Sequence, residues 1–132
     1  MKPLPLRLLP GDDLRAALQR VLQAQGCQAA FVLSGIGSLS QTRLRLAGAD
    51  DFLAIDGEVE ILTLAGSLSP DGVHLHMSVA DATGRVVGGH VTAGCKVRTT
   101  AEVLLALLPS WQFAREFDAA TGYAELRIGP RD

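Results

Sequence analysis

The feature that most constrains the fold is a set of three β-like segments, joined by two tight turns, between residues 59 and 91. The first turn, Ser69–Gly72, has proline at its second position and glycine at its fourth, which is typical of a type I turn. The second, Asp81–Arg85, is predicted to be a three-residue hairpin loop with Gly84 at the position that needs a positive φ. Turns this short between strands predict an antiparallel meander.

The first turn also predicts which side chains share a face of the sheet. Pairing Leu68 with Val73 puts apolar side chains on one face and small polar ones on the other. The predicted apolar face carries Leu62, Leu64, Leu68, Val73, Leu75, Met77 and Val79. The opposite face carries Thr63, Ala65 and Ser67. We expect the apolar face to pack against a helix.

The chain has three histidines, and the predicted register brings all of them together. If Asp81 pairs with Arg85, then His76 lies directly opposite His90, and directly opposed residues of an antiparallel pair share a face. His74 lies on the same face because side chains alternate along a strand with a period of two. This face of the meander is therefore the first candidate for a functional site.

Three neutral imidazoles form a ligand set for a divalent transition metal, with zinc the first choice and a fourth coordination position left open. Opposed Cβ atoms lie about 5 Å apart and same-face neighbours about 7 Å apart, so the rings can converge on one cation. In the alternative interpretation, the imidazoles are solvated or hydrogen-bonded within the sheet. A one-residue slip at Gly88 or Gly89 would move His90 to the other face. Cys95 is the weaker candidate for a fourth ligand, since alternation points it away from the histidines.

The flanking segments predict one helix and several further strands. The helix is predicted from Asp12 to Gln25, with Gly11 or Asp12 as its cap and Gly26 as its stop. Strands are predicted at residues 4–9, 28–33, 39–46, 111–116 and 123–128, with a turn at 34–38 and with 99–108 open between strand and short helix. The predicted fold class is α+β, a single domain whose mainly antiparallel sheet is flanked by one or two helices.

Length and composition restrict the class of protein. A chain of 132 residues with 48% hydrophobic residues fits one ordered domain over residues 1–132. No apolar run approaches the roughly 18 residues that a membrane span needs, and no signal-peptide core precedes a cleavage site. We therefore expect a cytoplasmic protein with no membrane partner, in which Cys27 and Cys95 are reduced thiols.

The charge balance argues against a protein that binds nucleic acid without an additional DNA-binding element. The chain has 12 Lys and Arg against 14 Asp and Glu, a net charge of −2, and no basic tail. Affinity for nucleic acid comes largely from neutralising phosphates, which requires clustered positive charge. An oligomer could still concentrate Arg43, Arg45, Lys96, Arg98 and Arg115.

Several segments, taken in order, resemble one protein family. They are the helix start Pro10–Leu14, Gly37–Ser40 with Leu44 and Arg45, Gly57–Ser69, the His-X-His strand, Gly88–His90 and Val97–Val103. In this order they resemble the PPC domain family, the plants and prokaryotes conserved domain also known as DUF296. The resemblance extends over about residues 6–128, and the chain is most similar to the prokaryotic stand-alone branch.

The resemblance implies a compact α+β domain that assembles as a homotrimer. In the prokaryotic branch it implies a divalent metal at the three histidines, near the subunit contacts. In the plant branch the domain follows AT-hook motifs that bind A/T-rich DNA, but no Arg-Gly-Arg-Pro core occurs in this sequence. Glu60 and Glu102 match family positions, where we expect them to hold Arg98 or backbone amides.

Three functions follow from the sequence. The first is a small cytoplasmic homotrimeric metal-binding module whose small-molecule ligand or partner is unknown. The second is a DNA-associated regulatory protein that lacks an AT-hook. The third is a metal-dependent, hydrolase-like enzyme, for which the acids nearby in sequence that could act as general base are Glu60, Asp81 and Glu102. We favour the first function and assign no catalytic residue.

Overall fold

In the computed structural model, which describes residues 1–132, one helix and eight strands follow one another along the chain. They are β1 (Lys2–Leu8), α1 (Leu14–Ala24), β2 (Ala30–Arg45), β3 (Phe52–Ser69), β4 (Gly72–Asp81), β5 (Val86–Val91), β6 (Lys96–Leu107), β7 (Trp111–Asp118) and β8 (Tyr123–Pro130). An antiparallel sheet has the order β1-β6-β2-β3-β4-β5, and β7 and β8 form a separate two-stranded ribbon. The predicted α+β class is confirmed, with one helix.

The sheet closes on itself because β5 pairs with β2 as well as with β4. Leu44 pairs with Val91, and Arg45 pairs with His90. Strands β2 and β3 have 16 and 18 residues, so different parts of each strand can pair with different neighbours. The first part of β2 pairs with β6, and its last residues reach β5. This closure places Arg45 beside one of the three histidines.

The hydrophobic core lies between α1 and the apolar face of the sheet. Leu14, Leu18 and Leu22 recur every four residues along α1, and all three are buried in the cluster that includes Leu68 and Leu75 of the meander. Burying one leucine side chain contributes about 2 kcal/mol to folding. The expected packing of a helix on the apolar face is confirmed.

Leu62 is the one residue of the predicted apolar face that the structure places on the other side. The pairing of β3 with β4 shifts between Ile61 and Thr63, so β3 carries one extra residue there. Ile61 is buried, whereas Leu62 is 43% exposed. A bulge reverses the alternation of side chains, which explains why the prediction for Leu62 was wrong. The other six residues of the predicted apolar face are buried.

The predicted turn at residues 34–38 is also wrong, because β2 continues through it. A Cβ atom added to Gly37 would lie 2.6 Å from the carbonyl oxygen of Thr100, so glycine allows β2 and β6 to approach closely. Glycine in a strand often marks such an approach of two backbones. Residues 99–108, left open from the sequence, lie almost entirely in β6.

Helix α1 begins at Leu14, and its cap is Asp13 rather than Gly11 or Asp12. The Asp13 carboxylate accepts a hydrogen bond from the backbone N–H of Ala16 at 3.1 Å, which satisfies one of the free donors of the first turn. The predicted stop at Gly26 is consistent with its φ of 61° directly after the helix. With 11 residues, α1 falls short of a membrane span, and no helix of the structure could cross a bilayer.

We expect Asp13→Ala to lower the free energy of unfolding by about 2 kcal/mol. Besides capping the helix, the Asp13 carboxylate accepts a hydrogen bond from the N–H of Gly94 at 2.7 Å and lies 3.7 Å from the Lys96 ammonium. It therefore ties α1 to the loop before β6. Urea denaturation measures the loss. The matched control is Asp50→Ala, in an exposed loop, which should change stability by less than about 0.5 kcal/mol. Equal effects of both substitutions would contradict this role of Asp13.

The predicted C-terminal strand pair is confirmed, and it docks on the end of β3. Phe113 is buried and packs edge-to-face against Phe31, with the ring centroids 5.5 Å apart. The backbone N–H of Arg115 donates to the Asp71 carboxylate at 2.9 Å, and its guanidinium donates to the Ser67 hydroxyl at 3.1 Å. These contacts hold the β7–β8 ribbon beside the turn between β3 and β4.

Candidate metal centre

The three histidines lie on one face of the sheet, in the predicted register. His76 in β4 pairs with His90 in β5, and the ladder between these strands runs without a bulge from there to the turn. In the other direction, His76 pairs with Ala65 and His74 pairs with Ser67 of β3. The slip that would have separated the histidines does not occur.

The geometry of the imidazole nitrogens fits a small cation. One ligand nitrogen from each ring can be chosen so that all three lie within 4.8 Å of one another. The Nε2 atom of His76 lies 3.1 Å from Nδ1 of His90. Two nitrogens bound to a tetrahedral zinc at about 2.0 Å are about 3.3 Å apart. The His74 ring lies slightly farther away, with its centroid 4.9 Å from that of His76 and 5.3 Å from that of His90. Binding of one ion by all three rings would therefore require His74 to move closer to the other two.

Two glycines bring β5 close enough to its neighbours to position His90. A Cβ atom on Gly89 would lie 2.7 Å from the carbonyl oxygen of Arg45, and one on Gly88 would lie 2.9 Å from that of Met77. Both glycines thus allow β5 to lie close to β2 and β4, and neither forms the bulge that the sequence allowed.

Burial and nearby positive charge favour the neutral form of two of the imidazoles. Burial lowers the pKa of His74, and the Arg115 guanidinium and the neighbouring imidazoles lower it further, against a small opposing effect of Glu125. Burial also lowers the pKa of His90, with contributions from the adjacent imidazole and from Arg45. A neutral ring at pH 7 is the form that binds a metal.

Cys95 lies apart from the histidines, as the alternation predicted. Its side chain is fully buried in the core cluster, and its thiol donates to the carbonyl oxygen of Arg43 at 3.2 Å. Burial raises the pKa of the Cys95 thiol, which disfavours the thiolate that a metal would bind. Cys27 and Cys95 are both free thiols.

A cleft of about 650 Å³ opens beside His74 and His90. Its walls come from α1, the end of β2, the β3–β4 turn and the β7–β8 ribbon. The charged residues that line it with the two histidines are Arg15, Arg45, Asp71, Arg115 and Glu125. The sequence did not predict this cleft, because no local pattern indicates where the C-terminal ribbon docks. The ribbon is tied through Asp71 to the turn Ser69–Gly72, and this turn is the part of the docking surface that the sequence did predict.

Asp81, considered from the sequence as a general base, is part of its own hairpin loop. Its carboxylate accepts hydrogen bonds from the backbone and the hydroxyl of Thr83, at 2.9 and 2.6 Å, and from the backbone of Arg85 at 3.1 Å. The hydrogen bonds from Thr83, followed by that from Arg85, lower the pKa of the Asp81 carboxyl group. The Asp81 carboxylate therefore stabilises the hairpin loop between β4 and β5.

Glu60 and Glu102, the other two acids considered, line a separate groove that contains no histidine. The expectation that one of them holds Arg98 is wrong, since Arg98 pairs with Glu58 at 2.7 Å. Strands β6 and β3 lie on either side of β2 in the sheet, and the long arginine side chain spans that distance to Glu58. The acids that line the histidine cleft are instead Asp71 and Glu125.

The five cations considered for DNA binding are divided between two environments. Arg43, Lys96 and Arg98 each lie 2.7 to 3.7 Å from a carboxylate oxygen. Arg45 and Arg115 line the cleft beside the histidines. Three of the five are therefore partly neutralised within the chain, which reduces the charge available to a phosphate backbone.

Comparisons with known proteins place this fold in a family. Residues 1–109 match the model of the Plants and Prokaryotes Conserved (PCC) domain. Among curated proteins, the chain is 53% identical over 130 residues to the bifunctional protein GlmU of a Synechococcus strain. That match covers 98% of this chain but 21% of the relative, so the chain spans about a fifth of the length of the curated relatives it matches.

Two solved structures extend the similarity to three dimensions. A hypothetical protein from Salmonella is 38% identical, with a TM-score of 0.95 and coverage of 98% of this chain and 94% of its own. A metal-containing protein from Archaeoglobus fulgidus is 27% identical, with a TM-score of 0.82 and coverage of 95% and 92%. The family resemblance predicted from the sequence is thereby confirmed: the chain belongs to the Plants and Prokaryotes Conserved domain family.

Proposed function

We propose that this chain is a metal-binding module in which His74, His76 and His90 hold one divalent transition metal, with zinc the preferred ion. The observation that carries the proposal is the convergence of every histidine in the chain, with one nitrogen of each within 4.8 Å of the others. Imidazole nitrogen is a preferred ligand of zinc, copper, iron and nickel. The existence of a metal-containing protein with the same fold supports the proposal.

Three histidines with no fourth protein ligand resemble the zinc sites that keep a position open for water or a ligand. The thiol of Cys95 is buried on the core side, so it does not compete for that position. Because His74 and His90 line the cleft, the open position faces a space of about 650 Å³ that a small molecule can enter. The module is therefore proposed to bind its ligand next to the metal.

We further propose that the module acts in the cytoplasm as a homotrimer. Exposed apolar side chains on β2 and β3 support self-association, because such patches are typical of subunit contacts. They are Phe31, Leu33, Ile36 and Leu62, which are 38 to 52% exposed in the single chain. The two free cysteines are buried and suit a reducing compartment. Sedimentation equilibrium should give three times the chain mass of 13.9 kDa, and a monomer mass would refute the trimer.

Elemental analysis tests the metal proposal directly. Protein purified without a histidine tag and without added metal should carry about one transition-metal ion per chain, because three nitrogens can hold it at neutral pH. After chelation, calorimetric titration should show uptake of about one zinc per chain, and cobalt should give the visible absorption of a four-coordinate site. Protein that is isolated without metal and also fails to take up zinc would assign the imidazoles a structural role.

A further inference from the structure

We propose that the cleft beside the histidines binds a small molecule with a phosphate or carboxylate group, one oxygen of which enters the open position of the metal. The second half of this inference rests on the metal site proposed above, whereas the first half rests on the cleft alone. A volume of about 650 Å³ lies within the range of sites for small organic ligands.

The strongest observation is that three arginines from different parts of the chain line this one cleft. Arg15 comes from α1, Arg45 from the end of β2 and Arg115 from β7. None of the three forms an ion pair with a carboxylate, although four other cations of the chain do. Guanidinium groups remain charged at any physiological pH, so a cleft lined by three of them without ion-pair partners attracts anions.

Two of these arginines are held in place while most of their donors stay free. Arg15 donates to the carbonyl oxygen of Val73 at 2.6 Å, and Arg115 donates to the Ser67 hydroxyl at 3.1 Å. A guanidinium has several N–H groups in a planar fork, so one bond to the protein leaves the others available. The guanidinium of Arg45 makes no hydrogen bond to the protein at all. Guanidiniums that are held in place but keep free N–H donors are well suited to bind the oxygens of a planar carboxylate or a tetrahedral phosphate.

The two acids of the cleft offset only part of the positive charge of the three arginines. Asp71 accepts a hydrogen bond from the backbone N–H of Arg115 at 2.9 Å, and Glu125 accepts one from the Thr121 hydroxyl at 3.0 Å. Three guanidiniums against these two carboxylates leave the cleft with one excess positive charge, before any metal is counted. A divalent cation at the histidines would add to it, and a positive cleft of this kind selects an anion.

The cleft also places an anion next to the proposed metal. His74 and His90 line it, and Arg45 is the direct strand neighbour of His90. An oxyanion there can contact the arginines with some oxygens and the metal with another. Tyr123 and Ala124 of β8 line the same cleft and offer apolar surface for the rest of the molecule.

Calorimetric titration with phenyl phosphate tests the proposal, in zinc-loaded and in metal-free protein. Phenylacetate serves as the carboxylate probe and benzyl alcohol as the neutral probe of similar size. Saturable binding of one or both anions is expected, and the tighter of the two identifies phosphate or carboxylate as the preferred group. Zinc should strengthen binding, because it contributes a ligand position. In cobalt-loaded protein, bound phenyl phosphate should show strongly enhanced phosphorus relaxation if it lies beside the metal.

The matched variants are Arg45→Gln, in the cleft, and Arg127→Gln, on an exposed face of β8 where the arginine pairs with Glu116. Arg45→Gln should weaken binding of the anion about tenfold, since a hydrogen bond to a charged group is lost. Arg127→Gln should change it less than about twofold, because exposed charges are screened. Zinc stoichiometry and melting temperature should match the parent protein in both variants. Arg15→Gln is a second cleft variant with the same expected direction.

Several outcomes would overturn the proposal. They are the absence of saturable binding by either anion, equal binding of benzyl alcohol, and equal losses in Arg45→Gln and Arg127→Gln. Failure of the metal proposal gives a different result. Protein that takes up no zinc but binds phenyl phosphate in an Arg45-dependent way retains the anion cleft and loses the metal.

Discussion

His76→Ala is expected to lower the affinity for zinc by about 100-fold or more, because the full ligand set supplies a large share of the binding free energy. His76 is the central member of the cluster, with its ring centroid 4.4 Å from that of His90 and 4.9 Å from that of His74. Without it, two imidazoles remain, and these bind zinc weakly. Competition against a chromophoric chelator measures the change.

The control for this substitution lies on the same face of the same strand. Ser78 is two residues beyond His76, and its hydroxyl lies 2.6 Å from that of Thr63. Ser78→Ala should leave zinc affinity within about twofold, because it alters the strand surface without removing a ligand. The His76 side chain is exposed, so the alanine variant should fold as the parent protein does. Retention of full zinc affinity by folded His76→Ala protein would contradict the three-histidine site.

Gly66→Ala is expected to destabilise the protein by about 3 kcal/mol, which corresponds to a fall in melting temperature of roughly 10 °C. A Cβ atom at Gly66 would overlap the backbone carbonyl oxygen of His74 and lie 2.9 Å from the Cα atom of Leu75. Both obstacles are backbone atoms of β4, so a side-chain rotation cannot relieve the overlap. Strand β4 would have to move away from β3, and His74 would move with it. Zinc affinity should therefore fall along with stability.

Thermal unfolding with and without zinc measures both effects of Gly66→Ala. Gly129→Ala provides the control, because the nearest atom to its added Cβ is the Cγ of Gln112 at 4.0 Å and its backbone has no positive φ. This control should alter stability by less than about 1 kcal/mol, or raise it slightly, since alanine restricts the unfolded chain. If the two substitutions had equal effects, close packing at Gly66 would not position β4.

The register of the meander could be predicted because it depends on local information. The turn residues at Ser69–Gly72 and around Gly84 fixed the loop lengths, and the alternation of side chains then determined which residues share a face. The pairs Leu68 with Val73 and His76 with His90 both occur. The same local reasoning placed all three histidines together.

The errors arose where contacts distant in sequence decide the local structure. The bulge near Leu62 has no turn residue to indicate it, and it reverses one side chain of the apolar row. The glycines at 35 and 37 were interpreted as a turn, but they allow β2 to pass close to Leu64 and to β6. By sequence, Asp12 was as good a helix cap as Asp13. The contact of the Asp13 carboxylate with Gly94, a residue distant in sequence, distinguishes the two.

The candidate site was predictable only for its histidines. Arg15, Arg45 and Arg115 come from three elements far apart in sequence, and they line one cleft because of how α1 and the β7–β8 ribbon dock on the sheet. Arg45 and Arg115 were considered for DNA binding from their charge alone, because the sequence does not show that they line the cleft beside the histidines. The DNA-associated and hydrolase-like functions stay predictions.

Diffraction at the zinc absorption edge, from crystals of zinc-loaded protein, would locate the ion without reference to any variant. We expect one anomalous peak per chain, about 2.0 to 2.1 Å from a nitrogen of each of His74, His76 and His90. An anomalous map without a peak between these rings, from protein that holds zinc in solution, would contradict the proposed site.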